Sequence, residues 1–209
     1  MSRSALLWDV DTQVDFVHPE GRLVVPGADA ATPAMARLVG WARDSAIVHV
    51  ASADDHEPTD PEISGEPDFV STYPPHCLRG TRGAQKIAET EQLDPLVLSH
   101  TAYPPIRVRE LIDGRREILL LKKSFDVFTN PNTEALLDAL DPAEVIVFGV
   151  ATDVCDDAVI RGLLRRGLRV AFVEDAARGL DEERTRSCLA RWRAAGVRFT
   201  RSADVATAG

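Results

Sequence analysis

The sequence predicts an α/β protein: a single domain of three layers, α/β/α, with helices on both faces of a mainly parallel sheet. Apolar runs of strand length recur along the 209 residues. Several are apolar almost throughout, as strands buried on both faces of a parallel sheet are. Segments of helical length and period separate them. With 44% hydrophobic residues, no repeat and no very long apolar stretch, one domain over residues 1–209 with a sizeable core is expected.

The first strand is expected over Ala5 to Val10. Thr32 to Arg43 repeats apolar residues at helical spacing and leads into a second strand, Ile47 to Ala51. Ser52 to Gly83 then breaks the alternation, holding Pro58, Pro61, Pro67, Pro74 and Pro75 with little periodicity. A loop this long in a compact domain is usually functional or disordered, and its Asp, His, Glu and aromatic residues favour function. A second irregular stretch runs from Asp94 to Asp113, where Asp113-Gly114 suggests a hairpin turn into Arg115 to Leu121, which holds the strand Ile118 to Leu121. Asn132 is placed to cap a helix over Thr133 to Leu140. Strand Val145 to Gly149, helix Asp153 to Arg166, strand Leu168 to Val173, helix Asp181 to Ala195 ending at Gly196, and strand Val197 to Thr200 complete the series.

A formal net charge of −9 argues against nucleic acid or an anionic membrane surface as partner and favours a small molecule. Cys77, Cys155 and Cys188 cannot all pair, and their wide spacing fits neither a disulfide framework nor a zinc ribbon. Free thiols in a reducing compartment are expected. Met1 to Trp8 is too short and too soon polar for a signal peptide, so a cytoplasmic location is expected.

Open α/β sheets place ligand sites beyond the carboxyl ends of their strands. Asp9 and Asp11 close the first strand, Asp54 and His56 follow the second, Lys122 and Lys123 close the next, and Thr152, Asp153 and Cys155 follow Val145 to Gly149. Each residue alone has a plain explanation: a cysteine at a helix start is most often small buried packing, a strand-end lysine a solvated charge, a strand-end aspartate a turn residue. Together, a carboxylate, an amine and a thiol on one rim form a nucleophilic set in which the amine favours the ionised thiol.

Three separated motifs resemble the isochorismatase-like cysteine hydrolases, most closely the nicotinamidases, over Leu6 to about Ala177. They are Asp11-Thr-Gln-Val-Asp-Phe16, Lys122-Lys-Ser-Phe-Asp-Val-Phe128 and Gly149-Val-Ala-Thr-Asp-Val-Cys155. The resemblance implies that family's fold and a catalytic triad of Asp11, Lys122 and Cys155. It also implies an oxyanion hole of the Ala151 and Cys155 amides and a cis peptide at Val150–Ala151. Gln13 sets the register that selects Asp11, leaving Asp9 as a structural acceptor; Phe125 and Phe128 select Lys122, leaving Lys123 solvated.

Ala51-Ser-Ala-Asp-Asp-His56, Ser64-Gly-Glu-Pro-Asp68, Tyr73-Pro-Pro-His-Cys77 and Gly80-Thr-Arg-Gly-Ala84 look like the nicotinamidase metal loop. The resemblance implies metal ligands Asp54, His56 and His76, with Glu62 as a further ligand by spacing. Carboxylate and imidazole suit a divalent transition metal, zinc first, then manganese or iron. Phe16 and Tyr73 are the implied substrate contacts, Tyr73 standing where nicotinamidases usually have Trp. The implied activity is hydrolysis of a small primary carboxamide, nicotinamide or an analogue, through an acyl-thioester, by a homo-oligomer, dimer or tetramer. The alternatives are another hydrolase of the superfamily, acting on an isochorismate-like, carbamoyl, maleamate-type or lactam substrate, and a non-catalytic binding domain. Asp153 is placed to cap the helix that begins there, while Asp156 and Asp157 fall in its first turn, where negative charge is favourable.

Overall fold

The structure, a computed structural model, describes residues 5–207. Its seven strands are β1 (Ala5–Val10), β2 (Val48–Asp54), β3 (Leu96–Leu98), β4 (Glu117–Lys122), β5 (Glu144–Val150), β6 (Arg169–Arg178) and β7 (Arg198–Thr200). They form one sheet in the order β3-β4-β2-β1-β5-β6-β7, and every pairing is parallel. The α-helices are α1 (Val14–Val17), α2 (Thr32–Asp44), α3 (Pro105–Ile112), α4 (Thr133–Leu140), α5 (Cys155–Arg165), α6 (Glu182–Ala194) and α7 (Ser202–Thr207).

Side-chain alternation along the strands divides the interior into two cores, one on each face. Leu6, Trp8, Val10, Val145 and Val147 pack with residues of α3 to α6, whereas Leu7, Ile146 and Phe148 pack with α1, α2 and α7. That is the α/β/α layering expected. Trp8 is fully buried, and Trp192 of α6 meets Phe172 of β6 edge-on at 4.9 Å. Each such side chain contributes about 1.5–3 kcal/mol through burial. Among the described residues no helix is long and apolar enough to cross a membrane.

The stretch from Asp94 to Asp113 is not irregular. It holds β3 and then α3, so Asp113-Gly114 turns a helix into β4, and the β3–β4 pair is parallel rather than a hairpin. Pro105 suits the first turn of α3, and Val108 and Ile112, four apart, are its buried stripe. Asn132 stands at the start of α4 without capping it through its side chain. Its amide instead donates to the carbonyls of Ser99 and Thr101, and its Oδ1 accepts from the Tyr103 N–H, fastening the chain that leaves β3.

β1 lies at the centre of the sheet, with β2 on one side and β5 on the other. The chain therefore reverses its direction of winding across β1, and the crevice beyond its carboxyl end is where such sheets bind ligands.

Candidate active site

Four strand ends meet at that crevice. Asp11 follows β1, Ser52 and Asp54 lie at the end of β2, Lys122 ends β4, and Cys155 opens α5 after β5. Lys122 is wholly buried, as are Asp11 and Ser52. Its ammonium lies 2.9 Å from Asp11 Oδ2, donates to Asp54 Oδ1, and stands 3.8 Å from Cys155 Sγ. The other oxygen of Asp11, Oδ1, accepts from Ser52 Oγ at 2.7 Å. The structure thus gathers Asp11, Lys122 and Cys155 around one buried cation.

Burial would lower the Lys122 pKa, but Asp11 and Asp54 raise it well above the ordinary lysine value, so the charge persists. Burial raises the Asp11 pKa, an effect Lys122 only partly offsets. For Cys155, burial first, then Asp11 and Asp54, outweigh Lys122 and push the thiol well above its usual range. Lys122 does favour the ionised thiol, as the sequence suggests, but burial with Asp11 and Asp54 works against it.

The aspartates around Cys155 divide in function. Asp153 does not cap α5; its carboxylate accepts from the Leu180 and Asp181 amides and from Arg184 Nε. Asp157 Oδ1 accepts from Trp192 Nε1 at 2.9 Å and Arg191 Nη2 at 3.0 Å, joining α5 to α6. Asp156 is fully buried, and Thr152 is the side chain that favours its charged form. A favourable first-turn charge is opposed there, because burial, with Asp11 adding to it, raises its pKa well above the ordinary carboxyl value.

The Val150–Ala151 peptide is cis. Among the described residues, no backbone hydrogen bond outside the helices and strands uses the N–H of Ala151 or of Cys155. The second of these amides belongs to the first turn of α5, where N–H groups point at negative charge. Gly149 has φ 136°, and a side-chain carbon there would stand 2.1 Å from the Val10 carbonyl oxygen. Only glycine lets β5 run so close to β1 at this point.

Beside the triad, Asp54, His56, Glu62 and His76 are all buried, with one donor atom of each lying within 4.8 Å of the others. His56 Nε2 is 3.7 Å from Asp54 Oδ1 and 3.8 Å from Glu62 Oε1, and His76 Nε2 is 3.5 Å from Asp54 Oδ2. Four ligands around a tetrahedral metal are roughly 3.4 Å apart, so these separations match a shared cation. His56 Nε2 and Asp54 Oδ2 are buried without a hydrogen-bond partner. His76 Nδ1 is 2.7 Å from the Pro74 carbonyl and must donate to it, which turns Nε2 toward the cluster. Burial opposes protonation of His76, yet Asp54 raises its pKa, as expected of a site that attracts positive charge. The four residues fit a divalent cation.

Side chains that the sequence expectation leaves outside the site hold this arrangement. Gln13 accepts from the Asp54 N–H and donates to the Asp54 and Ala84 carbonyls. Asp15 Oδ2 accepts from the Cys77 N–H at 2.7 Å, and Gly83 leaves the room that its carboxylate needs. Asp60 Oδ2 lies 3.4 Å from His56 Nδ1 and 3.2 Å from Lys123 Nζ, so Lys123 is an ion-pair partner rather than a solvated charge. The irregular loop begins only after Asp54, since Ser52 to Asp54 belong to β2. Asp9 is the structural acceptor expected, 2.8 Å from Lys86 Nζ and bonded by Thr12.

Phe16, Tyr73, Phe125, Leu180 and Ala151 wall a narrow cleft that reaches Cys155, Asp54, Glu62 and His76. The ring of Phe16 lies 5.2 Å and that of Tyr73 6.2 Å from His76. Aromatic walls beside a few polar groups are the lining that suits a flat molecule.

The isochorismatase domain family matches the chain over residues 4–204. The chain is similar to the nicotinamidase/pyrazinamidase of Mycobacterium tuberculosis, with 29% identity over 190 residues, 90% of this chain and 94% of that one. It is 28% identical to the nicotinamidase of Escherichia coli, over 82% of each chain. Its fold is similar to that of the Pyrococcus horikoshii pyrazinamidase solved in complex with zinc, with a TM-score of 0.74 at 21% identity, covering 95% of this chain and 99% of that one.

Proposed function

The chain belongs to the isochorismatase domain family, and from that premise we propose that it is a cysteine amidohydrolase of nicotinamidase type, converting a small primary carboxamide to its acid and ammonia. The observation that carries the reading is the buried lysine between Asp11 and Cys155, beside a cleft with aromatic walls. Similarity to two nicotinamidases supports the substrate class.

In this reading Asp11 takes the Cys155 proton as the sulfur bonds to the carboxamide carbon. The Ala151 and Cys155 N–H groups receive the oxyanion. Lys122 keeps Asp11 ionised before the transfer and holds it close to the sulfur. When the tetrahedral species collapses, Asp11 returns the proton to the departing nitrogen and ammonia leaves an acyl-thioester. A water then gives a proton to Asp11 and attacks the acyl carbon; the C–S bond breaks, and the proton returns to Cys155.

Asp54, His56, Glu62 and His76 would hold the metal, which we take to be zinc, with manganese or iron as chemically similar occupants. A bound metal supplies a Lewis-acid anchor for a ring nitrogen of the substrate. Phe16 and Tyr73 position the ring against His76. We further take residues 1–209 as one hydrolase domain, acting in the cytoplasm as a homo-oligomer, with no nucleic-acid or membrane partner.

The test is ammonia release from a panel of carboxamides, nicotinamide first, by wild type and Cys155→Ala. Wild type should hydrolyse at least one, and the variant none while melting at the same temperature. Turnover by Cys155→Ala, or no turnover of any carboxamide by wild type, would overturn the reading.

A further inference from the structure

Ser52 lies on β2, two residues before Asp54, and is wholly buried. Its neighbours Val50, Ala51 and Ala53 are buried apolar residues. A hydroxyl in such a strand needs an acceptor, and this one reaches sideways across the sheet to a side chain, Asp11 Oδ1, at 2.7 Å. The Asp11 N–H in turn donates to the Ser52 carbonyl at 3.2 Å. Asp11 is therefore held by Ser52 at both main chain and side chain. It also sits at φ 47°, off the extended path of β1, so neighbouring strand geometry does not fix where its carboxylate points.

The two carboxylate oxygens consequently have different surroundings. Oδ1 is occupied by a neutral donor. Oδ2 lies 2.9 Å from the Lys122 ammonium, which in turn stands 3.8 Å from the sulfur. We propose that Ser52 is a positioning residue for the amide hydrolysis: by occupying Oδ1 it presents Oδ2 as the oxygen that exchanges the Cys155 proton. The inference rests on the reading of Asp11 as the proton acceptor.

The hydroxyl suits this role in both protonation states of Asp11. It donates to Oδ1 whether that atom belongs to a carboxylate or, with the proton on Oδ2, to the carbonyl of the neutral acid. Without it, the carboxylate is free to turn, and Oδ1 competes both for Lys122 and for the proton. A misplacement of about 1 Å in a reacting group costs on the order of 100-fold in rate.

The experiment compares Ser52→Ala with Ser52→Thr. Alanine matches the residues on either side in the strand, and threonine restores the donor. Three quantities are read: kcat and KM on whichever carboxamide wild type hydrolyses, the rate at which iodoacetamide alkylates Cys155 as located by peptide mass mapping, and bound metal. Ser52→Ala should lose about 10- to 100-fold in kcat with KM within about threefold of wild type. Its Cys155 alkylation should slow in parallel, and Ser52→Thr should recover most of both, with metal content equal in all three. Wild-type kcat and alkylation in Ser52→Ala would overturn the proposal, and so would a Ser52→Thr variant no better than alanine. Alkylation needs no substrate, so it tests Ser52 even if the carboxamide panel fails and the function has to be reassigned.

Discussion

Replacing Asp156 by asparagine should stabilise the protein, and by an amount that depends on pH. The carboxyl is fully buried, Thr152 is the side chain that favours its ionised form, and Asp11, Asp153 and Asp9 are the charges that disfavour it after burial itself. Its folded pKa is raised above the ordinary value of 3.8. Below that value the side chain is protonated in both folded and unfolded chains, and its ionisation adds nothing. Above it the unfolded chain releases the proton while the folded chain keeps it, so stability falls by about 1.4 kcal/mol per pH unit until the folded group also ionises. Asparagine has the same shape and no such loss. Urea unfolding of the two proteins at matched pH isolates this contribution, since the other groups titrate in both. Their stabilities should be close near pH 4, and the advantage of Asp156→Asn should grow by up to about 2.7 kcal/mol, two pH units at this slope, between pH 5 and pH 7. That corresponds to roughly 5–11 °C in Tm for a chain of this size. A difference that stays constant with pH, or one that favours aspartate as pH rises, would refute the burial argument.

Two further predictions concern packing and metal. Asp157→Ala strips the buried Trp192 indole of its acceptor and should lower unfolding free energy by about 1–3 kcal/mol, with Asp157→Asn less damaging; an unchanged urea midpoint would show the bond to be dispensable. Chelation should remove a near-stoichiometric divalent metal, and Asp60→Ala, which takes away the carboxylate behind His56, should weaken rebinding about 10- to 100-fold in competition with a chromogenic chelator. Equal affinity in that competition would mean Asp60 does not orient the ligand.

The sheet was legible because parallel strands buried on both faces leave continuous apolar runs, and the rim because their polar terminators stand at the strand ends. α3 was hidden by Arg107, Arg109 and Glu110, which leave only Val108 and Ile112 as its buried stripe. Asn132 and Asp153 show the limit of capping rules. Both residue types and positions suit a cap, yet their side chains are engaged by loops about 30 residues away in the chain. Sequence shows that charges lie near Cys155 but not how deeply the sulfur is buried, and burial decides its protonation. Ser52 could have been found: strand alternation puts it on the same side as Asp54. Asp60 could not, because its approach to His56 depends on how a proline-rich loop folds.

The close approach at Gly149 bears on how such a site could diversify. The strand that ends at Asp11 and the strand that leads to Cys155 touch there through main chain, with no side chain interposed. The spacing of Asp11 and Cys155 is thus inherited from hydrogen-bonded backbone, while the cleft walls around Tyr73 belong to a loop outside the sheet. Residues of that loop can be exchanged, and a differently shaped ligand admitted, without resetting that spacing.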